Sequence, residues 1–171
     1  FAEQTQEEAE RPTLWRLWRA LPPKGSTAIF AGGLMRTATM RVNDEISEEY
    51  FSKWLRHVAT MQTELVADGA LVLKFFLHTP EKKQRKKLKR AEKDPEKGWW
   101  IDQRDWAALE KMSPLLPGVE RILHETSAPG APWTIVESTD SRYRDLTVAN
   151  TILAALTARL AAERVDVTLP V

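Results

Sequence analysis

The sequence predicts an α/β protein, a mostly parallel sheet between layers of helices, and three observations predict it. Short apolar runs alternate with long segments of helical spacing, the pattern of a three-layer α/β/α domain. ALVLKFFLH, residues 70–78, is apolar almost throughout, as a parallel strand covered on both faces must be. The 171 residues, 43% hydrophobic and 29% charged, suffice for one ordinary globular core. The absence of cysteine excludes disulfides and thiolate-held metals. No apolar run approaches the roughly 20 residues of a membrane span and no signal peptide is visible, so a cytoplasmic protein with no membrane partner is expected.

Residues 1–10, FAEQTQEEAE, are acidic and without periodicity, and read as a mobile end. RPTLWRLWRALPP reads as a helix bracketed by prolines, with Leu14, Trp15, Trp18 and Leu21 at three- and four-residue steps. Trp15 and Trp18 are expected in the core, with Arg16 and Arg19 on another side. PPKGST, residues 22–27, holds the lysine, glycine and hydroxyls of a phosphate loop in the wrong order. A Walker A loop reads G-x-x-x-x-G-K-[ST] and leads from a strand into a helix. Here the segment reads as a turn into a buried strand, STAIFAG, residues 26–32.

A long helix follows, framed by Ser47 as N-cap, Glu48 and Glu49 in the first turn, and Gly69 at its end. Its apolar stripe is Phe51, Trp54, Leu55, Val58 and Leu65, and His57 reads as a surface histidine beside it. In ALVLKFFLH the oddity is Lys74. Either it reaches for the strand's rim or a carboxylate, or it is a cation aimed at an anionic ligand. His78 ends that strand, and ligands of open α/β sheets collect beyond the carboxyl ends of strands. VERILHETS reads as helical, and PWTIVES as a third strand with Trp133, Ile135 and Glu137 on one side. Residues 140–164 read as a long amphipathic helix carrying Leu146, Ile152, Leu153, Leu156 and Leu160. Three strands are few for such a sheet, so the chain reads as part of a domain, with a tail at 166–171.

The net charge of +1 hides a local excess. Lys82, Lys83, Arg85, Lys86, Lys87, Lys89, Arg90 and Lys93 crowd one helical segment, and Lys82, Lys86, Lys89 and Lys93 share a face. Like charges at that spacing repel, and a polyanion laid along them would turn repulsion into attraction. The bland alternative is a solvated helix face or a flexible arm. Nucleic acid, polyphosphate and nucleotide phosphates would all use the same lysines, and Trp99 and Trp100 just downstream would suit stacked bases. No catalytic constellation accompanies them: there is no nucleophile elbow and no H-E-x-x-H, and His57, His78 and His124 are scattered.

In order along the chain, LWRLWRALPPKG, ALVLKFFLH, KKQRKKLKRAEKDPEKGWW and APWTIVESTDSRYRDLTV resemble the polyphosphate kinase 2 family. GWWIDQRDW and STDSRYRDLTV look closest to the N-terminal repeat of its two-domain polyphosphate:AMP phosphotransferases. The resemblance runs from about Arg11 to about Leu156, within a domain expected at 11–165 with a basic lid at about 80–106. It implies a P-loop kinase fold of the thymidylate-kinase type, and transfer of phosphate from polyphosphate to a nucleotide with Mg²⁺. By position, Lys82, Arg85, Lys86, Lys89, Arg90 and Lys93 would grip polyphosphate, and Arg16 would match the arginine of the family's W-R segment.

The departures concern catalysis. No Walker A motif occurs in the chain, and the family's loop is expected upstream of Phe1. The family's Walker B stretch F-D-R-S-W-Y corresponds to Phe30, Ala31, Gly32, Gly33, Leu34 and Met35. Ala31 cannot hold Mg²⁺, and Gly32 cannot pair with a phosphate. Ala91 stands where the family has an arginine before D-P, and Trp100 where many members carry lysine. The expectation is a repeat without catalytic residues or bound metal, serving to bind polyphosphate or to pack against a second kinase repeat or another copy. Nucleic acid is not the partner this resemblance implies. The rival expectation is a general polyanion or nucleic-acid module using residues 82–93.

Overall fold

The computed structural model describes residues 5–32, 34–94 and 103–166, which form two compact units. The first comprises residues up to Glu64 together with Pro114–Ala128, and the second Leu65–Ser113 with Pro129 onward. The architecture is α/β, as expected. Both described strands, β1 (Lys74–His78) and β2 (Trp133–Glu137), belong to the second unit.

The first unit is helical. α1 (Gln6–Ala9) is a single turn inside the stretch read as an acidic mobile end. A capping box closes it: Thr5 Oγ1 accepts from the Glu8 N–H, and the Glu8 carboxylate accepts from the Thr5 N–H. α2 (Trp15–Arg19) is shorter than its pattern suggests, because Pro22 and Pro23 follow closely and Leu14 before it is left-handed at φ 68. With so little helix there is little apolar face to bury. Trp18 is 43% exposed and Trp15 only half-buried, so the placement of Trp18 in the core is corrected.

The strand expected at residues 26–32 is also corrected. Residues 26–31 have no strand pairing, and Ile29 is 92% exposed. A ladder needs a partner, and the described residues of this unit contain no strand to provide one. Beyond it, α3 (Met35–Val42) begins at the last residue that corresponds to the family's F-D-R-S-W-Y stretch.

α4 (Glu48–Ala67) follows the sequence closely. Ser47 Oγ accepts from the Tyr50 N–H at 3.1 Å, and Gly69 closes the end at φ +89. Phe51, Leu55 and Val58 are almost wholly buried, together with Ile122 of α7 (Met112–Glu125). That helix begins before Val119 and runs through Pro117. It passes close to α3 at Gly118, where an added Cβ would meet the Ala38 Cβ at 3.3 Å.

In the second unit β1 and β2 pair in parallel, Lys74 opposite Trp133 and His78 opposite Glu137. Each strand leads straight into a helix, β1 into α5 (Glu81–Glu92) and β2 into α8 (Ser141–Asp166). Asp140 caps α8 by accepting from the N–H groups of Arg142 and Tyr143 at 2.8 and 3.1 Å. α6 (Gln103–Glu110) contributes Leu109, which is buried, as are Ala131 and Val136 of the same unit. The turn before β2 needs glycine: Gly130 has φ +80, and a Cβ there would lie 2.8 Å from the Val66 side chain.

Glu48 ties the first unit together at its surface. Its carboxylate accepts from Arg121 of α7, from Arg41 of α3 at 3.2 Å and from the Ser52 hydroxyl at 3.0 Å. Arg121 also lies 5.0 Å from the Phe51 ring. The Arg121 hydrogen bond is the main reason the Glu48 carboxyl is held below its ordinary value. A carboxyl lowered in the folded state stabilises above its unfolded pKa, and that contribution fades as pH falls through the folded one. Glu48 is 56% exposed, so solvent screening keeps the effect small. Glu48→Gln is expected to cost less than about 1 kcal/mol at neutral pH and low salt. In denaturant melts that deficit should shrink in high salt and vanish at strongly acidic pH.

Candidate functional site

The basic run is α5, and its start is fixed by the end of β1. Pro80 takes the N-cap place, its carbonyl accepting from Lys83 and Gln84 N–H groups at 2.8 and 3.0 Å. The Gln84 amide donates to the Thr79 carbonyl at 3.0 Å. No residue of α5 is buried. Lys82, Lys86, Lys89 and Lys93 are exposed in sequence along one face, and Arg90 is exposed as well. Arg85 is partly covered and pairs with Glu81 at 3.1 Å, one turn back.

Lys87 anchors this helix to the sheet. Its Nζ donates to the Ser138 carbonyl at 3.0 Å, and the Ser138 N–H donates to the His78 carbonyl at 2.7 Å. Glu137 is held below the ordinary carboxylate range first by hydrogen bonds from Thr139, with Lys87 adding a weaker attraction. The arrangement presents a row of lysines to solvent beside the carboxyl ends of two parallel strands. Chemically it can neutralise an extended anion. It supplies no nucleophile or general base.

Arg16, the remaining sequence-predicted contact, lies in the first unit, apart in the chain's organisation from α5. Its Nε is 3.4 Å from Glu8, and both side chains are largely covered, 23% and 19% exposed. It lines a groove of about 460 Å³ with Arg11, Trp15, Arg36, Ala31 and Gly32. Sequence reasoning missed Arg11 and Arg36. The signal for Arg11 was present: Arg11 and Arg19 stand four residues either side of Trp15, and their guanidiniums lie 5.5 and 5.2 Å from its ring. Trp99, Trp100 and the D-P-x-K-x-W motif after Asp94 lie outside the described residues.

A Mg²⁺ site needs several oxygen ligands around one point. Among the described residues no three His, Asp or Glu side chains gather in that way. Ala31 and Gly32 have no side-chain oxygen to offer, so these two positions do not fit the ion. His57 and His124 are exposed, and the His78 ring stacks on Phe76 at 6.1 Å. Among the described residues no helix is long and apolar enough to cross a membrane.

A family model described as Polyphosphate kinase 2 matches residues 1–164. A polyphosphate:AMP phosphotransferase of Pseudomonas aeruginosa is 39% identical over 162 residues, covering 94% of this chain and 33% of that protein. An AMP/ADP-polyphosphate phosphotransferase of Meiothermus ruber is 28% identical, covering 91% of this chain and 59% of its own length. Among solved structures, a chain assigned as polyphosphate kinase 2 from Pseudomonas aeruginosa PA01 superposes with a TM-score of 0.77 at 36% identity, covering 94% of this chain and 32% of that one. Polyphosphate kinase 2 of Arthrobacter aurescens TC1 shares the fold with a TM-score of 0.88 at 23% identity, over 98% of this chain and 63% of that one. The chain thus spans about a third of the length of the Pseudomonas relative it matches.

Lys74 lies at the opposite end of its strand from the carboxyl end, where a ligand is expected. It opens β1, is 8% exposed, and its ammonium lies 5.2 Å from the ring of its register partner Trp133. Burial lowers its pKa from 10.5 to about 8. The native state therefore releases this proton at lower pH than the unfolded chain, and stability rises with pH between about 8 and 10.5. The penalty below that window is up to about 3 kcal/mol, reduced by attraction to the indole ring. Lys74→Met is expected to raise stability by about 1–3 kcal/mol at neutral pH. It should also abolish the alkaline rise in a series of denaturant melts.

Proposed function

The chain belongs to the polyphosphate kinase 2 family, and from that premise we propose that it is a portion of a polyphosphate-dependent nucleotide phosphotransferase. In the proposed role this repeat binds the polyphosphate chain and supports the assembly without itself transferring phosphate. The single observation that carries the reading is α5: its lysines are exposed in a row on a helix tied to the strand ends. Lys82, Arg85, Lys86, Lys89, Arg90 and Lys93 are the proposed contacts there, and Arg16 is a further one in the first unit. Phosphoryl transfer requires metal and fixed cations around the moving group. Ala31 and Gly32 supply neither, which supports a non-catalytic role.

A second kinase repeat, or another copy of the chain, is the proposed structural partner in the cytoplasm. In its support, Leu146, Leu153 and Leu160 of α8 are 62%, 64% and 58% exposed at seven-residue intervals, a surface for another element to cover.

Supplied with AMP, Mg²⁺ and polyphosphate, the protein is expected to make no ADP through this repeat. Turnover that depends on this repeat's α5 and survives inactivation of any other kinase repeat would overturn the non-catalytic reading. Lys86→Ala combined with Lys89→Ala should weaken long-chain polyphosphate at least tenfold, at about 1 kcal/mol for each charged contact. It should also flatten the salt dependence of log K by on the order of one to two. Equal affinity and equal salt slope for single-stranded nucleic acid would instead favour a general polyanion module.

A further inference from the structure

The groove of the first unit carries more positive charge than its role in packing explains. Among the described residues that line it, Arg11, Arg16 and Arg36 are cationic and Glu8 alone is acidic. Arg11 is engaged at 2.9 Å by Glu7, and Arg16 at 3.4 Å by Glu8. Both carboxylates come from α1, one helical turn, and Glu8 is aimed by the capping box that Thr5 makes with it. An acidic turn thus pairs with two of the groove's arginines.

The wall formed at Ala31 and Gly32 bears on what the groove can accept. Ala31 and Gly32 stand where the family pattern has an aspartate and an arginine. Without the aspartate there is no negative charge on that wall to be bridged by a metal, and an anion can approach directly. Leu14, which also lines the groove, is held left-handed at φ 68, a conformation that a non-glycine residue keeps only when its surroundings impose it. Arginine forks suit phosphate oxygens better than a single carboxylate, because each phosphate offers several acceptors and more charge.

We propose that this groove is a metal-independent binding site for the end of an oligophosphate chain, and that Glu8 is a built-in competitor which the phosphate displaces from Arg16. The proposal rests on the reading that this protein handles polyphosphate, and it adds a second contact region with its own internal regulator. The Arg11–Glu7 pair is solvated and weak, and the more covered Arg16–Glu8 pair is long at 3.4 Å, so a multivalent anion with several acceptors can compete for both arginines.

The test is titration with tripolyphosphate at low salt and with EDTA present, using the full protein. Glu8→Gln preserves the capping box, since glutamine serves at that position too. It is expected to tighten tripolyphosphate about threefold to fivefold. Arg16→Ala and Arg36→Ala should each weaken it about tenfold, and Glu8→Gln should give no gain in the Arg16→Ala background. The Lys86→Ala/Lys89→Ala protein should lose long-chain polyphosphate by a larger factor than tripolyphosphate, and Glu8→Gln should tighten tripolyphosphate in that background too. A folded Glu8→Gln protein with unchanged or weaker affinity overturns the proposal, as does binding that requires Mg²⁺. Undiminished long-chain binding by the double lysine variant would instead count against the α5 reading and leave the groove standing. Should Arg16→Ala fail to fold, the Glu8→Gln titration still decides.

Discussion

The second unit depends on one constraint, the parallel pairing of Lys74–His78 with Trp133–Glu137. Parallel strands end at the same level, so the segments that leave them start from neighbouring points. Here those segments are Thr79–Pro80 into α5 and Ser138–Asp140 into α8. The Ser138 N–H extends the pairing by one bond to the His78 carbonyl, and the Ser138 carbonyl receives Lys87. A helix as cationic as α5 has little reason to stay folded by itself, since neighbouring lysines oppose it. Its anchorage comes from backbone and side-chain bonds at its first turn, from Glu81 beneath Arg85, and from this single lysine reaching back to the sheet. Leu88 and Ala91 add partial cover.

The two units meet the same electrostatic problem in different ways. In α5 most cations are left to water, where solvation and salt moderate their repulsion. In the first unit the arginines are drawn into pairs with carboxylates and aromatic faces: Glu7, Glu8, Glu48, Trp15 and Phe51 all serve. Lysine on a flexible stem and arginine with its planar fork suit these two treatments. The proposed ligand contacts differ accordingly. A row of exposed lysines gives affinity that scales with the length of the anion, whereas a groove with three arginines selects for its shape.

Much of this was legible in the sequence wherever a feature is local. The Ser47 cap, the Phe51–Val58 stripe, the Gly69 stop and the Asp140 start are decided within a turn or two of chain. The strand cores at 74–78 and 133–137 follow from apolar runs of the right length. What escaped depends on partners. Residues 26–31 have a strand's composition, but composition cannot reveal whether another strand lies alongside. VERILHETS reads as helical from Val119, but α7 begins earlier, at Met112, with Pro114 in its first turn, where a missing N–H costs little. Trp18 carried the right spacing for burial, but its helix is too short to bury two tryptophans. The cations of α5 were plain from sequence; the enclosure of Arg16 by Glu8, and the convergence of Arg11 and Arg36, required the fold.

Holding an anion and transforming it place different demands on a protein. Cations that contact a phosphate chain equally before and during transfer lower its free energy in both states, which yields affinity and no rate. The proposed lysine contacts of α5 are of that kind, for nothing among the described residues fixes Lys82, Lys86, Lys89 or Lys93 around one reacting phosphorus. Acceleration would need charge concentrated where it develops in the transition state, by a metal and its carboxylate or by a rigid arginine. In the proposed reading, Ala31 and Gly32 do not supply that charge at the place the family pattern provides for it. Without the aspartate, the same positions no longer repel a phosphate. In the proposed reading, the residues that argue against catalysis also favour retention of the ligand, through the altered charge balance.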